Sequence, residues 1–576
     1  MNLRERARLL TLGSAHRRAL MWIRAWFPAA ALVLWSVTAA AAANTQSAAP
    51  QASALQENQR EERCKGLGNL DLSQLLDAPT QITGEAFVSG DDSSPRCDVT
   101  GYVAPNVGFL LRLPADNWNG KLVEIGCGGF CGVTDQVVQC DSPIRRNYAC
   151  IVTDEGHKST PNDTLWAFHN LQAGVDYAYR ASHVTALAGK AIAAHYYSHS
   201  AQRSYFIGCS SGGREAMVEA QHFPWDFDGI VAGAPSLSEA GSNLIHVWWL
   251  RALTDESHKP LFTLDELRMV HAAVLKKCDM DDGIRDGIIS NPASCQFDPI
   301  SLQCKRDETT DCLSQVQVNA LIKVYAGPMT SGGYHIYPGR AFSGSELNLP
   351  NSTRTTQQVE SEFNFLTSAF RYSELDSAPA AAWKTEQFDF DKDYKRLGES
   401  DAIASERNPD LRAFRNAGGK LISYVGLNDI DQADVTMDYY NMVERVMGGR
   451  TATQQFFRLF VIPGMNHCIG GDGAFDVDYL TYLDAWVEHG QAPDKLLSFN
   501  VEAGNLWHEG GDYHNLLRRL AFPLDQSTIA FSRPIYPYPL IARYRGQGDP
   551  ANANSYEPAE PDGSYDQRDT MSDRVK

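Results

Sequence analysis

The chain has 576 residues, of which 43% are apolar and 21% charged, and its formal net charge is −19. It is too long for one small compact core, and its apolar fraction is that of a globular protein. The acidic excess argues against the clustered positive charge that nucleic-acid binding requires, so no nucleic-acid partner is expected.

The first 43 residues have the pattern of an export signal. Arginines between Arg4 and Arg24 precede an uncharged run, Ala25 to Ala43, which ends in small residues suited to cleavage. Because this run is nearly long enough to span a bilayer, a retained signal anchor is the alternative. We expect cleavage, a secreted or periplasmic protein, and no membrane association of the mature chain.

Twelve cysteines follow residue 60. An even number of cysteines behind an export signal is typical of disulfides formed in an oxidising compartment. A structural zinc site is the alternative, but the sequence has no Cys-x2-Cys pair to support it. The sequence therefore predicts a disulfide-bonded protein.

From about Cys97 onward, short apolar runs alternate with turns and helical stretches. This alternation predicts a mostly parallel sheet that is covered by helices on both faces. The predicted strands are 108–114, 121–129, 148–154, 203–210 and 227–236, and the predicted helices are 174–197 and 211–223.

The alternation stops at about residue 237 and returns with strands at 418–429 and 456–467 and a helix at 478–490. The loop-rich stretch between them contains four cysteines. The simplest interpretation is one α/β domain with a large inserted lid. The predicted parts are the signal peptide 1–43, a flexible segment 44–60, a first core part 61–236, the lid 237–400, and a second core part with the C-terminal tail 401–576.

One short turn matches the nucleophile motif G-x-S-x-G, with Ser210 at its centre. Ser210 follows a predicted strand and precedes a predicted helix, the arrangement that exposes a serine hydroxyl above a sheet. The start of that helix also offers unpaired backbone N–H groups to a developing oxyanion. A structural Gly-Ser turn is the alternative, since the pentapeptide also arises by chance.

A serine nucleophile needs a base and an acid that orients the base, and in this class of fold they follow in the order Ser, Asp, His. His467 lies in a Gly-Pro-Asn loop directly after an apolar strand. Asp429, Asp431 and Asp434 follow another apolar strand upstream. Asp429 lies nearest to the strand end, so it is the predicted acid, with Asp431 in reserve.

Two cysteines flank the predicted nucleophile and base: Cys209 precedes Ser210, and Cys468 follows His467. If the two cysteines form a disulfide, their Cα atoms must lie about 4.4–6.8 Å apart. Ser210 and His467 would then lie within about a side chain's reach of each other.

These residues resemble the tannase family, which includes tannases, feruloyl esterases and mono(2-hydroxyethyl) terephthalate hydrolases. The resemblance extends over residues 64–556. It rests on the Cys-Ser … Asp … His-Cys arrangement and on phrases such as "NWNGKLVEIGCGG", "FDGIVAGAP" and "VIPGMNHCIGG". It implies an α/β-hydrolase core, a lid between nucleophile and acid, and hydrolysis of small aromatic-acid esters through an acyl-enzyme on Ser210.

The resemblance also implies the groups that bind the oxyanion. One donor is the backbone N–H of Ser211. The other comes from the loop "GCGGFCG", in which Gly129 or Gly128 supplies the N–H. A plain tight turn is the alternative for this loop.

A cluster of carboxylates in the lid predicts a structural calcium ion. Asp279, Asp282 and Asp286 would repel one another in so short a loop unless a cation bridged them, and oxygen ligands suit calcium. The resemblance implies that the carbonyls of Ile284 and Ile288 complete the site. A solvated acidic turn is the alternative.

Further disulfides follow from the resemblance rather than from the residues alone. Four other cysteines, Cys127, Cys131, Cys140 and Cys150, allow three connectivities, which stay open at this point. The implied pairs are Cys209–Cys468, Cys64–Cys97, Cys278–Cys295 and Cys304–Cys312.

The sequence leaves the acyl group open among feruloyl, galloyl and terephthalate-monoester types. The lid stretch "YPGRAFSGSELNLPNSTRTTQQ" lacks the tryptophan that several relatives have near this place. A catalytically silent binding protein and a serine peptidase on the same fold are the alternative functions. The residues predicted to contact substrate are Glu346, Phe370, Arg371 and Tyr372.

Overall fold

The computed structural model describes residues 48–89, 94–306, 310–349, 355–374, 382–501 and 529–563. Internal contacts divide the chain into two units, Met1–Asn58 and Gln59–Lys576, and the site lies in the second. The predicted signal peptide, 1–43, lies outside the described residues. Over the described ranges, no helix combines the length and the apolar character needed to cross a membrane.

A nine-stranded sheet forms the centre of the second unit, in the order β1-β2-β3-β5-β4-β6-β7-β8-β9. The six strands from β5 to β9 in this order pair in parallel, whereas β1, β2 and β3 form an antiparallel meander that joins β5. The strands are Thr80–Val88 (β1), Arg96–Val103 (β2), Val107–Pro114 (β3), Lys121–Ile125 (β4), Ala149–Thr153 (β5), Arg203–Cys209 (β6), Gly229–Gly233 (β7), Lys420–Gly426 (β8) and Phe457–Ile462 (β9).

The parallel strands are buried along nearly their whole length. Continuous burial is typical of parallel strands that have helices on both faces, and it explains why these strands could be predicted from apolar runs. β1 and β2 were not predicted. β1 is an edge strand and β2 lies next to it; the residues of both are buried only in part, and their apolar pattern is correspondingly weak.

Helices cover the sheet, and α4, α5 and α14 contact its strands directly. The helix predicted over 174–197 lies within a continuous helical stretch, Leu171–Tyr197, in which the π-helical turn Asp176–Arg180 separates α3 from α4. The α-helices are Ala48–Lys65 (α1), Asp141–Arg145 (α2), Leu171–Val175 (α3), Ala181–Tyr197 (α4), Ser211–His222 (α5), Glu239–Leu253 (α6), Leu264–Cys278 (α7), Gln315–Ala326 (α8), Thr356–Ala369 (α9), Gly398–Ile403 (α10), Arg412–Ala417 (α11), Ala433–Met447 (α12), Arg450–Thr453 (α13) and Tyr479–His489 (α14).

The inserted segment between β7 and β8 contains α6 to α11. α6 packs against both α8 and α9, and its apolar residues join the same buried cluster as the central strands. Capping boxes at Thr263, Ser314 and Thr355 define the starts of α7, α8 and α9. The predicted α/β-hydrolase fold with an inserted segment is confirmed.

Two small antiparallel sheets follow the core near the C-terminus. One pairs Leu496–Val501 (β10) with Ile529–Ile535 (β11), and the other pairs Ile541–Tyr544 (β12) with Tyr556–Ala559 (β13). The chain between β11 and β12 reaches the main sheet through a backbone hydrogen bond from Tyr538 N–H to the Leu459 carbonyl, 2.8 Å.

All twelve cysteines are disulfide-bonded, with Cα–Cα distances between 4.8 and 5.9 Å. The structure contains the four pairs that the resemblance implied. It also resolves the open connectivity, since the remaining cysteines pair as Cys127–Cys131 and Cys140–Cys150.

Candidate active site

Ser210 lies in the sharp turn between β6 and α5. Its backbone is left-handed, with φ 64° and ψ −122°, a conformation that is strained for a serine. The turn can form only because the residues around it are small: a Cβ on Gly208 would lie 2.2 Å from the Gly212 carbonyl oxygen. This local geometry matches a nucleophile elbow.

Asp429 and His467 follow the ends of two neighbouring parallel strands, β8 and β9. The Asp429 Oδ2 atom lies 2.7 Å from Nδ1 of His467. The other carboxylate oxygen accepts the backbone N–H groups of Asp431 and Gln432, each at 3.1 Å. The buried carboxylate is therefore held in one orientation and can orient the imidazole in turn.

The electrostatic surroundings of His467 favour its charged form. Burial alone lowers the pKa of the imidazole, but the charge and hydrogen bond of Asp429 outweigh burial and raise the pKa of His467 to about 9. An imidazole beside a carboxylate is a strong base for a serine hydroxyl.

A disulfide joins the nucleophile turn to the histidine loop. The Cα atoms of Cys209 and Cys468 lie 5.9 Å apart. Ser210 and His467 are their chain neighbours, and both line the same cavity. Two loops separated by 259 positions in the chain are thus covalently held at one site.

The other two aspartates near the end of β8 have different partners. Asp431 Oδ2 lies 2.8 Å from Nε2 of His246, and Asp434 Oδ2 accepts the Gly339 N–H at 3.1 Å. The geometry therefore brings Asp429 to His467, as the sequence predicted, and not the reserve candidate Asp431.

The predicted oxyanion donors face the same cavity. Gly128 and Gly129, in the loop after β4, line it together with Ser211 at the start of α5. The loop is tied to the helix by a hydrogen bond from Gly212 N–H to the Cys127 carbonyl, 2.9 Å. Within the described ranges, the N–H groups of Gly128, Gly129 and Ser211 donate to no acceptor, so they are available to an oxyanion.

The cavity beside Ser210 has a volume of about 610 Å³, which is enough for a small aromatic ester. Phe130 and Phe365 form an aromatic wall, with ring centroids 5.5 Å apart. Polar side chains of α6 form another wall, and these were missed by the sequence analysis. They are Glu239, Ser242, Asn243 and His246.

A signal for this polar wall exists in the sequence. The four α6 residues recur at i, i+3, i+4 and i+7, so they share one face of the helix. Glu239 lies against the nucleophile turn, because its Oε1 accepts the Ser211 hydroxyl at 3.2 Å. Burial raises the pKa of Glu239. A helical pattern of polar residues directly after the predicted strand 227–236 is therefore a signal for a wall of the cavity.

The four lid residues predicted to contact substrate do not line this cavity. Glu346 is fully buried and accepts hydrogen bonds from Tyr325 and His271. The Phe370 ring is also buried, and Arg371 donates to the Trp383 carbonyl at 2.7 Å. Tyr372 contacts Phe168 edge to face. The cavity residues named above replace them as candidates, because none of these four side chains lines the cavity.

The predicted calcium ligands lie in the loop after α7, away from the cavity. The Asp279 carboxylate accepts the Gly287 N–H at 3.1 Å, and Asp286 pairs with Arg533 at 2.7 Å. Burial and the charges of Asp286 and Asp279 raise the pKa of Asp282 to about 6. Carboxylates that repel one another in this way form a donor set suited to calcium.

The carboxylates of this loop do not converge fully. Among the described residues, the Asp279, Asp282 and Asp286 oxygens are not all within 4.8 Å of one another. Arg533 already neutralises part of their charge. The donor chemistry, three carboxylates in one loop, is of the type that calcium prefers.

Comparisons with known proteins agree with this geometry. The sequence model of the tannase and feruloyl esterase family matches residues 89–559. A mono(2-hydroxyethyl) terephthalate hydrolase of Piscinibacter sakaiensis is 33% identical over 525 residues, which is 79% of this chain and 83% of that protein. A probable feruloyl esterase of Arthroderma benhamiae is 32% identical over 483 residues, 80% of this chain and 83% of that protein.

Solved structures show the same fold. An esterase from Aspergillus oryzae superposes with a TM-score of 0.73 at 23% identity, covering 87% of this chain and all of that one. Feruloyl esterase B from the same organism superposes with a TM-score of 0.72 at 24% identity and the same coverage. With the family match over most of its length, the chain belongs to the tannase and feruloyl esterase family and is a carboxylic ester hydrolase.

Proposed function

We propose that this protein hydrolyses small esters of aromatic acids by a serine mechanism, with Ser210 as nucleophile. The observation that carries the proposal is the single cavity lined by Ser210 and His467, whose loops are joined by the Cys209–Cys468 disulfide. Asp429 completes the triad through its 2.7 Å contact with His467. The free N–H groups at the cavity wall supply the electrostatic part of catalysis.

The proposed reaction proceeds in two halves. His467 Nε2 accepts the Ser210 proton as Oγ attacks the ester carbonyl, while Asp429 holds the proton on Nδ1 and stabilises the imidazolium. Backbone N–H groups of Ser211 and of Gly128 or Gly129 stabilise the oxyanion. His467 then protonates the leaving alcohol, which leaves an acyl-enzyme on Ser210, and a water activated by the same histidine releases the acid.

The aromatic character of the acyl group is supported by the cavity and by the relatives. Phe130 and Phe365 offer ring faces and edges to a planar acyl group. Relatives whose names specify terephthalate and ferulate esters match four fifths of the chain. The proposed substrates are feruloyl, galloyl or terephthalate-monoester compounds.

Export and calcium binding complete the proposal. The arginine-rich N-terminus followed by an alanine-rich run supports cleavage and release into the periplasm or medium. The six disulfides suit the same oxidising compartment. Calcium, held by Asp279, Asp282 and Asp286 with carbonyls of Ile284 and Ile288, would stabilise the inserted segment electrostatically.

A hydrolysis panel tests the proposed function. Wild type and Ser210→Ala should be compared on methyl ferulate, methyl gallate, a terephthalate monoester, a simple aryl ester and an aryl amide. We expect the wild type to cleave at least one aromatic-acid ester and the variant to lose at least about 10³-fold in kcat. Equal turnover by wild type and Ser210→Ala would contradict the serine mechanism. Preferred cleavage of the amide would indicate a peptidase.

A further inference from the structure

The loop that carries Gly128 and Gly129 is fixed by a side chain outside the triad. The carboxylate of Glu215 accepts the backbone N–H of Cys127, with Oε2 3.2 Å from that nitrogen. Cys127 is the residue directly before Gly128. Its N–H is therefore directed into the protein, whereas those of the next two residues remain available to the cavity.

Glu215 lies on the helix that begins at the nucleophile. It follows Ser211 by four residues, so the two residues share one face of α5, about one turn apart. The same helix thus carries one oxyanion donor, Ser211 N–H, and the acceptor that holds the loop of the other donor. Glu215 fixes the separation between the two halves of the oxyanion hole.

The loop and the helix pack closely around the contact between Glu215 and the Cys127 N–H. A Cβ on Gly126 would lie 2.7 Å from the Gly212 Cα and 2.8 Å from Glu215 Oε2, so only glycine allows the loop to approach the helix this closely. Glu215 is 1% exposed. Water therefore does not replace the carboxylate as partner of the Cys127 N–H, and loss of the acceptor leaves a buried donor unpaired.

The loop is also constrained from its other end by the Cys127–Cys131 disulfide, which closes a ring around Gly128 and Gly129. The Glu215 Oε1 atom lies 2.9 Å from Cys127 Sγ, so the carboxylate packs against this disulfide. Both sulfurs are bonded to each other, so this cluster offers no thiolate to a metal ion.

We propose that Glu215 is a positioning residue for ester hydrolysis, which holds the Cys127 N–H and thereby sets the Gly128–Gly129 oxyanion donors opposite Ser211. The proposal rests on the serine mechanism proposed above. The residue touches no reacting atom and acts only through the loop.

The chain provides a matched control on the same helix. Glu219 lies one turn further along α5 and is also fully buried, but in the described structure neither of its carboxylate oxygens has a hydrogen-bond partner. Replacing either glutamate by methionine removes a buried carboxyl group and keeps a side chain of similar length. Only the change at Glu215 removes the acceptor of the Cys127 N–H.

The test compares kcat and KM of Glu215→Met, Glu215→Gln and Glu219→Met with those of wild type on one hydrolysed ester. We expect Glu215→Met to lower kcat by about 10- to 100-fold with KM changed by less than about threefold, because a misplaced donor weakens mainly the transition state. Glutamine keeps an acceptor oxygen, so Glu215→Gln should recover kcat to within about threefold, and Glu219→Met should resemble wild type.

A kcat for Glu215→Met equal to that of Glu219→Met would overturn the proposal, as would a folded Glu215→Gln protein that stays as slow as the methionine variant. Should Glu215→Met fail to fold, Glu215→Asp against Glu219→Asp applies the same criterion, since the shorter acid withdraws its oxygens from Cys127. Failure of the serine mechanism is distinguishable, because Ser210→Ala would then retain full activity.

Discussion

The Asp429 carboxylate lies 2.7 Å from Nδ1 of His467 and accepts two further backbone N–H groups, so it is fixed before it orients the imidazole. Its charge outweighs burial and raises the pKa of His467 to about 9. This relationship, between residues at the ends of adjacent strands, determines when His467 can act as a base.

The pH profile should report this raised pKa. His467 must be neutral to accept the Ser210 proton, so kcat/KM should rise with pH through the pKa of His467, with a midpoint above the ordinary histidine value of 6.5. Asp429→Asn removes the charge that raises the pKa, so the midpoint should move to lower pH and kcat should fall by about 10³–10⁴-fold. Initial rates from pH 5 to 10 check both effects.

Asp431→Asn is the matched control for that experiment. Asp431 pairs with His246, and its charge adds only a smaller increase to the pKa of His467. The control should keep most of its activity and show a small shift of the midpoint. An unchanged midpoint in Asp429→Asn would contradict the assignment of the acid.

Removal of the Cys209–Cys468 disulfide should affect both stability and activity. A 259-residue separation gives an entropic stabilisation of about 5.5 kcal/mol, against about 2.5 kcal/mol for the 8-residue separation of Cys304–Cys312. Replacing both cysteines of each pair by alanine should lower Tm more for the first pair. Only that variant should also lose kcat at temperatures where it remains folded, because only its loops carry Ser210 and His467.

Equal kcat losses in the two double variants, measured well below both melting temperatures, would contradict this role. Thermal melts and initial rates on the same preparations give both quantities. The Cys304–Cys312 variant controls for the general effect of losing a disulfide that does not join the loops of Ser210 and His467.

The charge of the cavity should select among aromatic esters. Among the described residues that line it, Asp135, Glu239 and Asp431 are acidic and none is lysine or arginine. A terephthalate monoester carries a carboxylate and would be repelled by roughly 1 kcal/mol for each nearby like charge. We expect its kcat/KM to be at least about tenfold below that of methyl ferulate, mainly through KM.

Asp135→Asn tests whether charge is the cause. The substitution should raise kcat/KM for the terephthalate monoester by about two- to fivefold, in line with a partly screened charge, and leave methyl ferulate nearly unchanged. Efficient terephthalate-monoester hydrolysis by wild type, with no response to Asp135→Asn, would show that the described lining does not determine the acyl preference.

Buried carboxyl groups behind the site should make stability fall with rising pH. Glu124 is fully buried and, within the described ranges, unpartnered, and burial raises its pKa well above the ordinary value of 4.5. As the pH rises above 4.5, the unfolded chain loses the Glu124 proton while the native state keeps it. The free energy of unfolding is therefore not reduced by this group below pH 4.5, and it declines with rising pH above that value. Glu124→Gln should flatten the decline of Tm between pH 5 and 8.

Glu256→Gln, which replaces an exposed glutamate, is measured alongside as the baseline effect of a glutamate-to-glutamine substitution. A Glu124→Gln variant with the same slope as wild type would show that Glu124 does not bind the additional proton of the native state.

Calcium removal tests the acidic lid loop. Chelation with EDTA should lower Tm by several degrees, and added calcium should restore it, because a bound ion would offset the repulsion among Asp279, Asp282 and Asp286. Asp282→Asn should lower Tm and abolish the response to EDTA. A wild-type Tm that does not respond to either treatment would contradict the site.

The positions of the three candidate residues could be predicted from the sequence because each of them follows a buried strand with a strong apolar signal. Ser210 follows β6, Asp429 follows β8 and His467 follows β9, and parallel strands bring their carboxyl ends to one edge of the sheet. The cysteines beside the serine and histidine added a long-range contact that sequence patterns rarely supply.

The residues that line the cavity beside Ser210 could not be predicted in the same way. Arg371 and Glu346 were placed in the pocket by their position in the lid, but which way a lid side chain points depends on tertiary packing. Glu215 was also missed, since its contact with the Cys127 N–H joins residues 88 positions apart. The polar face of α6 has helical spacing in the sequence, but this stretch was predicted to be loop-rich, and the helix Glu239–Leu253 was not predicted.

The most direct test of Ser210 as the nucleophile is mass spectrometry of the enzyme quenched in acid during turnover of an aromatic ester. We expect a fraction of the protein to be heavier by the mass of one acyl group, with the added mass on the peptide that contains Ser210, and no such species for Ser210→Ala. An acyl group on another residue, or an adduct that persists in Ser210→Ala, would contradict Ser210 as the nucleophile.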